Sequence, residues 1–151
     1  MPTLERWKPN VTVAAIVEQG GNFLMVQENI NGRIVYNQPA GHWDFGETLI
    51  QAVIRETLEE TAWHVQPTAL ISINQWQNAQ QVTYLRFCFC GQALQQEPQR
   101  QLDEDIIQAL WMSYPQLQQH SRQLRSPMVL HDIDRYRSGH RYDLTLLQTL
   151  G

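Results

Sequence analysis

Lysine is almost absent from this chain of 151 residues. Ten of its eleven basic residues are arginine, and the remaining one is Lys8, close to the N-terminus. A phosphate-binding loop of the Gly-Lys-Ser/Thr type is excluded, because no such tripeptide occurs in the sequence. A buried lysine that forms a Schiff base with substrate is not expected either. If the protein handles phosphate groups, it must use arginine, backbone N–H groups or metal ions.

Long apolar runs and excess positive charge are also missing, and cysteine is scarce. Cys88 and Cys90 are two residues apart on a predicted strand, so they face the same side, cannot readily form a disulfide, and are interpreted as buried thiols. No apolar run reaches the ~18–20 residues that span a bilayer, and the N-terminus does not resemble a signal peptide. We therefore expect a cytoplasmic protein without a membrane partner. The net charge of −4 argues against binding to a nucleic acid polymer.

The chain contains enough apolar residues to form the core of one folded domain. Hydrophobic residues make up 42% of the sequence, which excludes intrinsic disorder, and the length suits a single core. We predict one domain over residues 1–151, with an ordered core from about residue 9 to residue 144, in a monomer or a weak dimer.

Periodicity and turn residues predict alternating strands and helices. Strands are predicted at residues 11–17, 23–27, 33–36, 70–76, 82–94 and 107–112. Helices are predicted from a Thr48–Gln51 capping box to about Thr61, from Ser113, and from Ser126-Pro127 to Gly139. The stretch between residues 37 and 47 is predicted to be irregular, and residues 94–101 to form a surface excursion. This order favours an α+β fold, with helices on both sides of a mixed sheet.

The first helix concentrates negative charge. Glu56, Glu59 and Glu60 lie within about a 100° arc of its surface, where they repel one another. Arg55 alone cannot balance them together with Glu47. A hard divalent cation with oxygen ligands would, and Mg²⁺ is the ordinary candidate, with Mn²⁺ possible. A solvated acidic helix face is the alternative interpretation of this cluster by itself.

The spacing around the helix is more specific than its charge. The sequence matches the pattern G-x5-E-x7-R-E-x2-E-E at Gly41, Glu47, Arg55, Glu56, Glu59 and Glu60. This resembles the Nudix box, the signature of a superfamily of phosphoanhydride hydrolases. Two positions depart from it: Thr57 replaces an aliphatic residue, and Ala62 replaces a glycine that ends the helix. If position 62 needs a positive φ, alanine is strained there.

Segments outside the box extend the resemblance over about Pro9 to Leu144. They are Asn37–His42, Asn74–Trp76, Leu85–Phe87, Leu124–Pro127 and Ser138–Tyr142, and they are similar to the NudJ-like branch of the superfamily. The resemblance implies the Nudix fold, an α/β/α sandwich with a central mixed sheet. It also implies hydrolysis of thiamine-pathway pyrimidine pyrophosphate, thiamine pyrophosphate and nucleoside di- and triphosphates to monophosphates, with release of phosphate.

The resemblance implies roles for the box residues. Glu56 and Glu60 would be the principal metal ligands, with help from Glu59 and the Gly41 carbonyl. Glu56 is also the first choice for general base. Arg55 and Glu47 would pair and hold the loop and the helix in register. A further acidic ligand is expected from Asp103, Glu104 or Asp105.

Predictions for the substrate pocket rest on weaker patterns. Arg86 on a central strand requires a phosphate or a core carboxylate as partner. Arg125, just before a helix start, would bind phosphate or serve only a structural role. Trp76 would stack on a pyrimidine ring or belong to the core, and Gln38 is a further candidate contact for substrate.

The sequence is also compatible with other functions. They are a nucleoside triphosphate pyrophosphohydrolase, an ADP-ribose or nucleotide-sugar hydrolase of the same fold, and a non-catalytic nucleotide-binding module. The last of these is disfavoured because all four box carboxylates are present.

Overall fold

A computed structural model of the chain describes residues 5–151. Seven strands and three helices occur in this part of the chain, together with two short 3₁₀ turns. In chain order they are β1 (Asn10–Gln19), β2 (Asn22–Ile30), β3 (Arg33–Asn37), β4 (Ala40–His42), α1 (Leu49–Thr61), β5 (Trp63–Gln77), β6 (Thr83–Gln96), β7 (Ile106–Ser113), α2 (Tyr114–Gln119) and α3 (Met128–Arg137). No helix in residues 5–151 is long and apolar enough to cross a membrane.

The strands form a mixed sheet in the order β3-β2-β1-β6-β5. Strands β1 and β6 run parallel, whereas the other pairs are antiparallel. Strand β4 also pairs with β1, and β7 pairs with β2. β1 and β2 pair only near their shared turn, at Glu18–Phe23 and Gln19–Asn22. The rest of the two strands diverge, which opens the sheet on the side where β4 is inserted.

Two apolar layers enclose the sheet. Helix α1 covers one face through Ala52 and Val53, which pack with Phe89 of β6. Helices α2 and α3 cover the other face, where Cys88 and Cys90 lie in the core as free thiols. The predicted α+β sandwich with helices on both sides is therefore confirmed, as is the alternation of faces along β6.

The structure corrects the sequence prediction at three places. Residues 40–42, predicted to be irregular, form β4, which is too short to show a periodic pattern. Strand β5 begins at Trp63 rather than Leu70, because register shifts near Val65, Pro67 and Leu70 interrupt its alternation. Pro67 is tolerated because β5 is an edge strand. Strand β6 continues to Gln96, so the predicted surface excursion starts later than residue 94.

The helix ends follow their local signals. Thr48 and Gln51 form the predicted capping box of α1, and Ser113 and Gln116 form another at the start of α2. Helix α3 is assigned from Met128, one residue after the predicted start, and Ser126 Oγ accepts the Met128 N–H at 3.2 Å. These contacts satisfy N–H groups that the first helical turn leaves without partners.

Helix α1 ends in a left-handed residue that is not glycine. Ala62 has φ 64° and ψ 14°, and its N–H donates to the Leu58 carbonyl at 2.9 Å. The expected strain at this position is therefore present, since a side chain in this region costs about 1–2 kcal/mol. The strain persists because the Ala62 carbonyl also accepts the Glu97 N–H at 2.8 Å, which ties the helix end to β6.

Replacing this residue should stabilise the protein. Ala62→Gly removes the strain but also a buried methyl group, so the free energy of unfolding should rise by about 0.5–1 kcal/mol. Chemical denaturation with unchanged slope measures this difference. An equal or lower stability would show that the methyl group contributes more than the strain costs.

Candidate active site

A polar cleft of about 950 Å³ opens beside α1. The helix contributes its carboxylates, β4 contributes the residues above them, and the far wall comes from the ends of β5 and β6. The segments that lead into β7 and α3 complete the rim through Asp103, Asp105 and Arg125. The insertion of β4 between the diverging strands thus places a turn of backbone directly over the acidic helix face.

Three carboxylates converge inside this cleft. Glu56, Glu60 and Asp103 each offer an oxygen, and these oxygens all lie within 4.8 Å of one another. Glu60 Oε1 accepts the Ala40 N–H at 2.8 Å, and the Asp103 N–H donates to the Glu59 carbonyl at 3.1 Å. Backbone contacts from β4 and from the loop before β7 therefore hold the cluster on the helix.

The structure separates the three candidates for the late acidic residue. Asp103 belongs to the carboxylate cluster, whereas Asp105 lines the cleft without joining it. Glu104 is exposed and does not line the cleft. The sequence could not make this choice, because three adjacent acids in a loop carry no periodicity.

Arg55 is the positive centre of the acidic cluster. Its Nε and Nη2 atoms donate to the two oxygens of Glu47, at 2.9 Å and 2.7 Å. Its Nη1 atom donates to Glu56 at 2.8 Å and to Glu59 at 3.3 Å, and Nη2 also reaches the His42 carbonyl at 2.9 Å. One guanidinium therefore joins β4, the following loop and two turns of α1. Lysine could not do this, because it lacks the planar set of donors.

Gly41 lies against the carboxylate of Glu56. A Cβ atom at this position would lie 2.1 Å from the Glu56 Cδ atom and 2.2 Å from its Oε2 atom. The backbone of β4 can approach the helix only because residue 41 has no side chain. This close approach explains why the pattern has glycine here, since the φ of Gly41 is not positive.

Burial changes the pKa values of the cluster. Burial raises the pKa of Glu56 to about 7, against the opposing contacts from Arg55. Burial also raises the pKa of Glu60 well above its ordinary value, against the hydrogen bond from Ala40. The hydrogen bonds from Arg55 instead lower the pKa of Glu47. Glu56 and Glu60 thus share a site in which burial disfavours their negative charges when no metal ion is bound.

Thr57, the first departure from the box, is fully buried and still satisfied. Its hydroxyl donates to the Val53 carbonyl at 2.7 Å, one helical turn back. The β-branched side chain therefore fills the place of an aliphatic residue without an unpaired polar atom.

The aromatic wall of the cleft consists of two residues. Trp76 and Tyr84 are paired across β5 and β6, with ring centroids 5.8 Å apart and planes 22° apart. Trp76 is half-buried and lines the cleft, so it does not belong to the apolar core. Tyr84 lies two residues before Arg86, on the same face of β6.

The two candidate arginines have different surroundings. Arg86 is only 4% exposed and donates to the Gln38 side-chain oxygen. Gln38 is 1% exposed and does not line the cleft, so it supports Arg86 from below. Arg125 lies at the rim and donates to Glu28 at 2.5 Å. Burial raises the pKa of Glu28, opposed by Arg125 and by a hydrogen bond from Asn37.

The donor set fits a hard divalent cation. Carboxylate oxygens from Glu56, Glu60 and Asp103 come within reach of one ion, and the Gly41 backbone lies directly against Glu56. Mg²⁺ and Mn²⁺ prefer oxygen ligands, and residues 5–151 bring no histidine or cysteine into this cluster.

Comparisons with known proteins agree with this geometry. The sequence model of the NUDIX domain matches residues 7–132. The phosphatase NudJ of Escherichia coli K12 is 43% identical over 141 residues, which cover 93% of this chain and 92% of that protein. A solved NUDIX hydrolase from Nitrosomonas europaea is 44% identical, with a TM-score of 0.93, and the match covers 95% of this chain and 98% of that one. A MutT protein from Methanosarcina mazei Go1 has the same fold at 19% identity, with a TM-score of 0.71 over 91% of this chain and 100% of that one.

The chain belongs to the Nudix hydrolases. Among the proteins it resembles, the phosphatase NudJ matches it over almost the full length of both chains.

Proposed function

We propose that this protein is a phosphatase that hydrolyses phosphoanhydride bonds in small di- and triphosphate compounds, with Mg²⁺ as its cofactor. The observation that carries the proposal is the convergence of Glu56, Glu60 and Asp103 in a cleft with an aromatic wall and an arginine at the rim. The 43% identity to the phosphatase NudJ supports the release of phosphate.

The substrates we propose are thiamine-pathway pyrimidine pyrophosphate, thiamine pyrophosphate and nucleoside di- and triphosphates. All combine a flat ring with a phosphate chain. The half-buried Trp76 offers such a ring an aromatic surface, while the chain extends toward the carboxylate cluster. The Arg125 guanidinium, which lies at the rim, would contact phosphate oxygens.

The chain's own residues would divide the chemistry as follows. Glu56, Glu60 and Asp103 would hold the cation, assisted by Glu59 and the Gly41 carbonyl. The cation supplies positive charge to the phosphate oxygens and acidifies the attacking water. Glu56 is our choice for general base, since its carboxylate lies in the cluster and lines the cleft. The pair of Arg55 with Glu47 would keep Glu56 in place, so it acts as positioning support.

A substrate panel tests the proposed function. The purified protein with Mg²⁺ should convert hydroxymethylpyrimidine pyrophosphate, thiamine pyrophosphate and nucleoside diphosphates to monophosphates, with stoichiometric phosphate. Phosphate and pyrophosphate are measured separately. Exclusive release of pyrophosphate from nucleoside triphosphates, without activity on diphosphates, would instead assign a pyrophosphohydrolase.

Metal and pH should act on stability through the same two carboxylates. The raised pKa values of Glu56 and Glu60 mean that the folded state retains protons that the unfolded state has lost. The protonated carboxyl groups contribute fully to the free energy of unfolding below about pH 4.5. For Glu56 this contribution is lost as the pH rises through about 7. The thermal midpoint of metal-free protein should therefore fall between pH 5 and pH 8, and Mg²⁺ should raise it most at pH 8.

Differential scanning fluorimetry with and without EDTA measures both effects. The variant Glu56→Gln provides the matched control, because its amide does not ionise, and its thermal midpoint should fall less over the same interval. A Mg²⁺ effect that is equal at pH 5 and pH 8 would contradict this linkage, and hydrolysis that persists in EDTA would contradict the cofactor.

A further inference from the structure

Two buried polar atoms, in residues that line the cleft, have no hydrogen-bond partner. They are Asn37 Oδ1 and Arg86 Nε, and residues 5–151 contain no other buried side-chain nitrogen or oxygen in this condition. Asn37 is 7% exposed, Arg86 is 4% exposed, and both line the cleft. Buried polar groups in folded proteins are nearly always paired, so two exceptions in one cleft mark a place built for a ligand.

The chemistry and the neighbours of each atom determine whether it donates or accepts a hydrogen bond. The Asn37 side chain lies beside the Glu28 carboxylate and opposes the rise in its pKa, and the NH₂ group is the end of the amide that suits this acceptor. The remaining Oδ1 atom can only accept. Arg86 donates one Nη2 hydrogen to Gln38, and its Nε atom can only donate. A ligand that satisfies both must therefore offer a donor and an acceptor together.

The protein itself provides no ionic partner for Arg86. In residues 5–151 no carboxylate lies within 4.0 Å of its guanidinium. The nearby buried carboxylate of Asp132 is occupied by Ser72 Oγ at 2.5 Å and Asn74 Nδ2 at 2.8 Å. Within residues 5–151 the side-chain oxygen of Gln38 is thus the one hydrogen-bond partner of Arg86.

The aromatic wall lies beside Arg86 along β5 and β6. Asn74 is opposite Arg86 in the β5–β6 register, and Trp76 is opposite Tyr84 two residues further along the same face. The rings therefore begin about 7 Å from Arg86 along the strand. A ring that lies against Trp76 and Tyr84 is therefore close to Arg86, and Asn37 lines the same cleft.

We propose that Asn37 and Arg86 form a specificity subsite for a nitrogen heterocycle that carries both an N–H donor and a hydrogen-bond acceptor, as pyrimidinones and aminopyrimidines do. The subsite rests on the proposed function, in which such a ring carries the phosphate chain. It also changes the role expected for Arg86, from a phosphate clamp to a donor that recognises the ring. An ionised phosphate offers only acceptors, so it would satisfy Arg86 but oppose Asn37 Oδ1.

Substrate pairs that differ only at the proposed donor test the subsite without altering the protein. UDP is compared with 3-methyl-UDP, in which the N–H is replaced, and CDP with its N4,N4-dimethyl derivative. The wild-type kcat/KM should favour the unmodified member of at least one pair by about tenfold, the range expected for one buried hydrogen bond. Asn37→Ala should reduce that preference to near unity. Gln80→Ala, which removes an exposed amide from the same cleft, should retain it.

The outcomes separate the subsite from the proposed function. Equal rates on both members of both pairs, or an unchanged preference in Asn37→Ala, would overturn the subsite even if every compound is hydrolysed. Tripolyphosphate, which has no ring, should be hydrolysed equally by wild type and Asn37→Ala. If wild type hydrolysed none of these compounds, the proposed function would fail alone. The affinities of wild type for UMP and 3-methyl-UMP, measured by calorimetry, would then test the subsite, with the same tenfold preference expected. The same measurement tests it if Asn37→Ala does not fold.

Discussion

Glu56→Gln should leave the protein folded and lower kcat by about 100-fold or more. The amide has the shape of the carboxylate, but it can neither bind Mg²⁺ as an anion nor accept a proton from water. Because burial raises the pKa of Glu56, the ionised side chain is unfavourable at pH 8 without metal. The metal-free variant should therefore be at least as stable as wild type at that pH, while being nearly inactive.

Phosphate release at saturating Mg²⁺ measures the loss, and circular dichroism establishes that the fold is kept. Glu104→Gln is the matched control, because Glu104 has the same charge, is exposed and does not line the cleft. Turnover of Glu56→Gln within a few-fold of wild type would show that our assignment of Glu56 is wrong.

Gly41→Ala should reduce kcat to a similar extent through a steric effect. The added methyl group would overlap the Glu56 carboxylate, whose Cδ atom lies 2.1 Å from the position of the new Cβ. Either β4 moves away or Glu56 turns out of the cluster with Glu60 and Asp103. Both movements misplace a carboxylate by more than the ~0.5 Å that preorganised sites tolerate, so a loss of about 100-fold or more is expected.

Gly46→Ala separates this contact from a general effect of losing glycine. Gly46 has φ 87° and nothing within 4 Å of its would-be Cβ, so alanine there adds backbone strain without a collision. Its expected cost is about 1 kcal/mol of stability, with activity within a few-fold of wild type. Equal losses of activity in the two variants would contradict the steric account of Gly41.

Much of this site is local in the sequence, and that is why it could be predicted. Glu56, Glu59 and Glu60 lie on one helix, whose period places them on one face. Arg55 follows Glu47 by eight residues, and their pairing needs only the loop that joins β4 to α1. The expected strain at Ala62 depended on a single backbone angle, and the structure has it.

The far side of the cleft depends on contacts between distant segments, and these leave no periodic signal. Asp103 joins the cluster, unlike Glu104 and Asp105, and its N–H makes a long-range hydrogen bond with the Glu59 carbonyl. Gln38 was expected to contact substrate, but the crossing of residues 37–39 over β1 turns it inward beneath Arg86. Asn37 belonged to a recognised segment, yet nothing in the sequence shows that its side-chain oxygen lacks a partner.

The parallel pairing of β1 with β6 has a consequence for the order in which the chain folds. Asn10 pairs with Tyr84 and Val17 with Gly91, so the first strand of the sheet acquires this neighbour only after more than half of the chain has been made. The β5–β6 hairpin and the α1 helix can form from nearby residues, whereas closing this long loop is slow. During synthesis, the carboxylate helix should therefore exist before the wall that carries Arg86 and Tyr84 is joined to it. Until then the edge of β1 that pairs with β6 stays open, and an unpaired edge on this apolar strand exposes the nascent N-terminal half to aggregation.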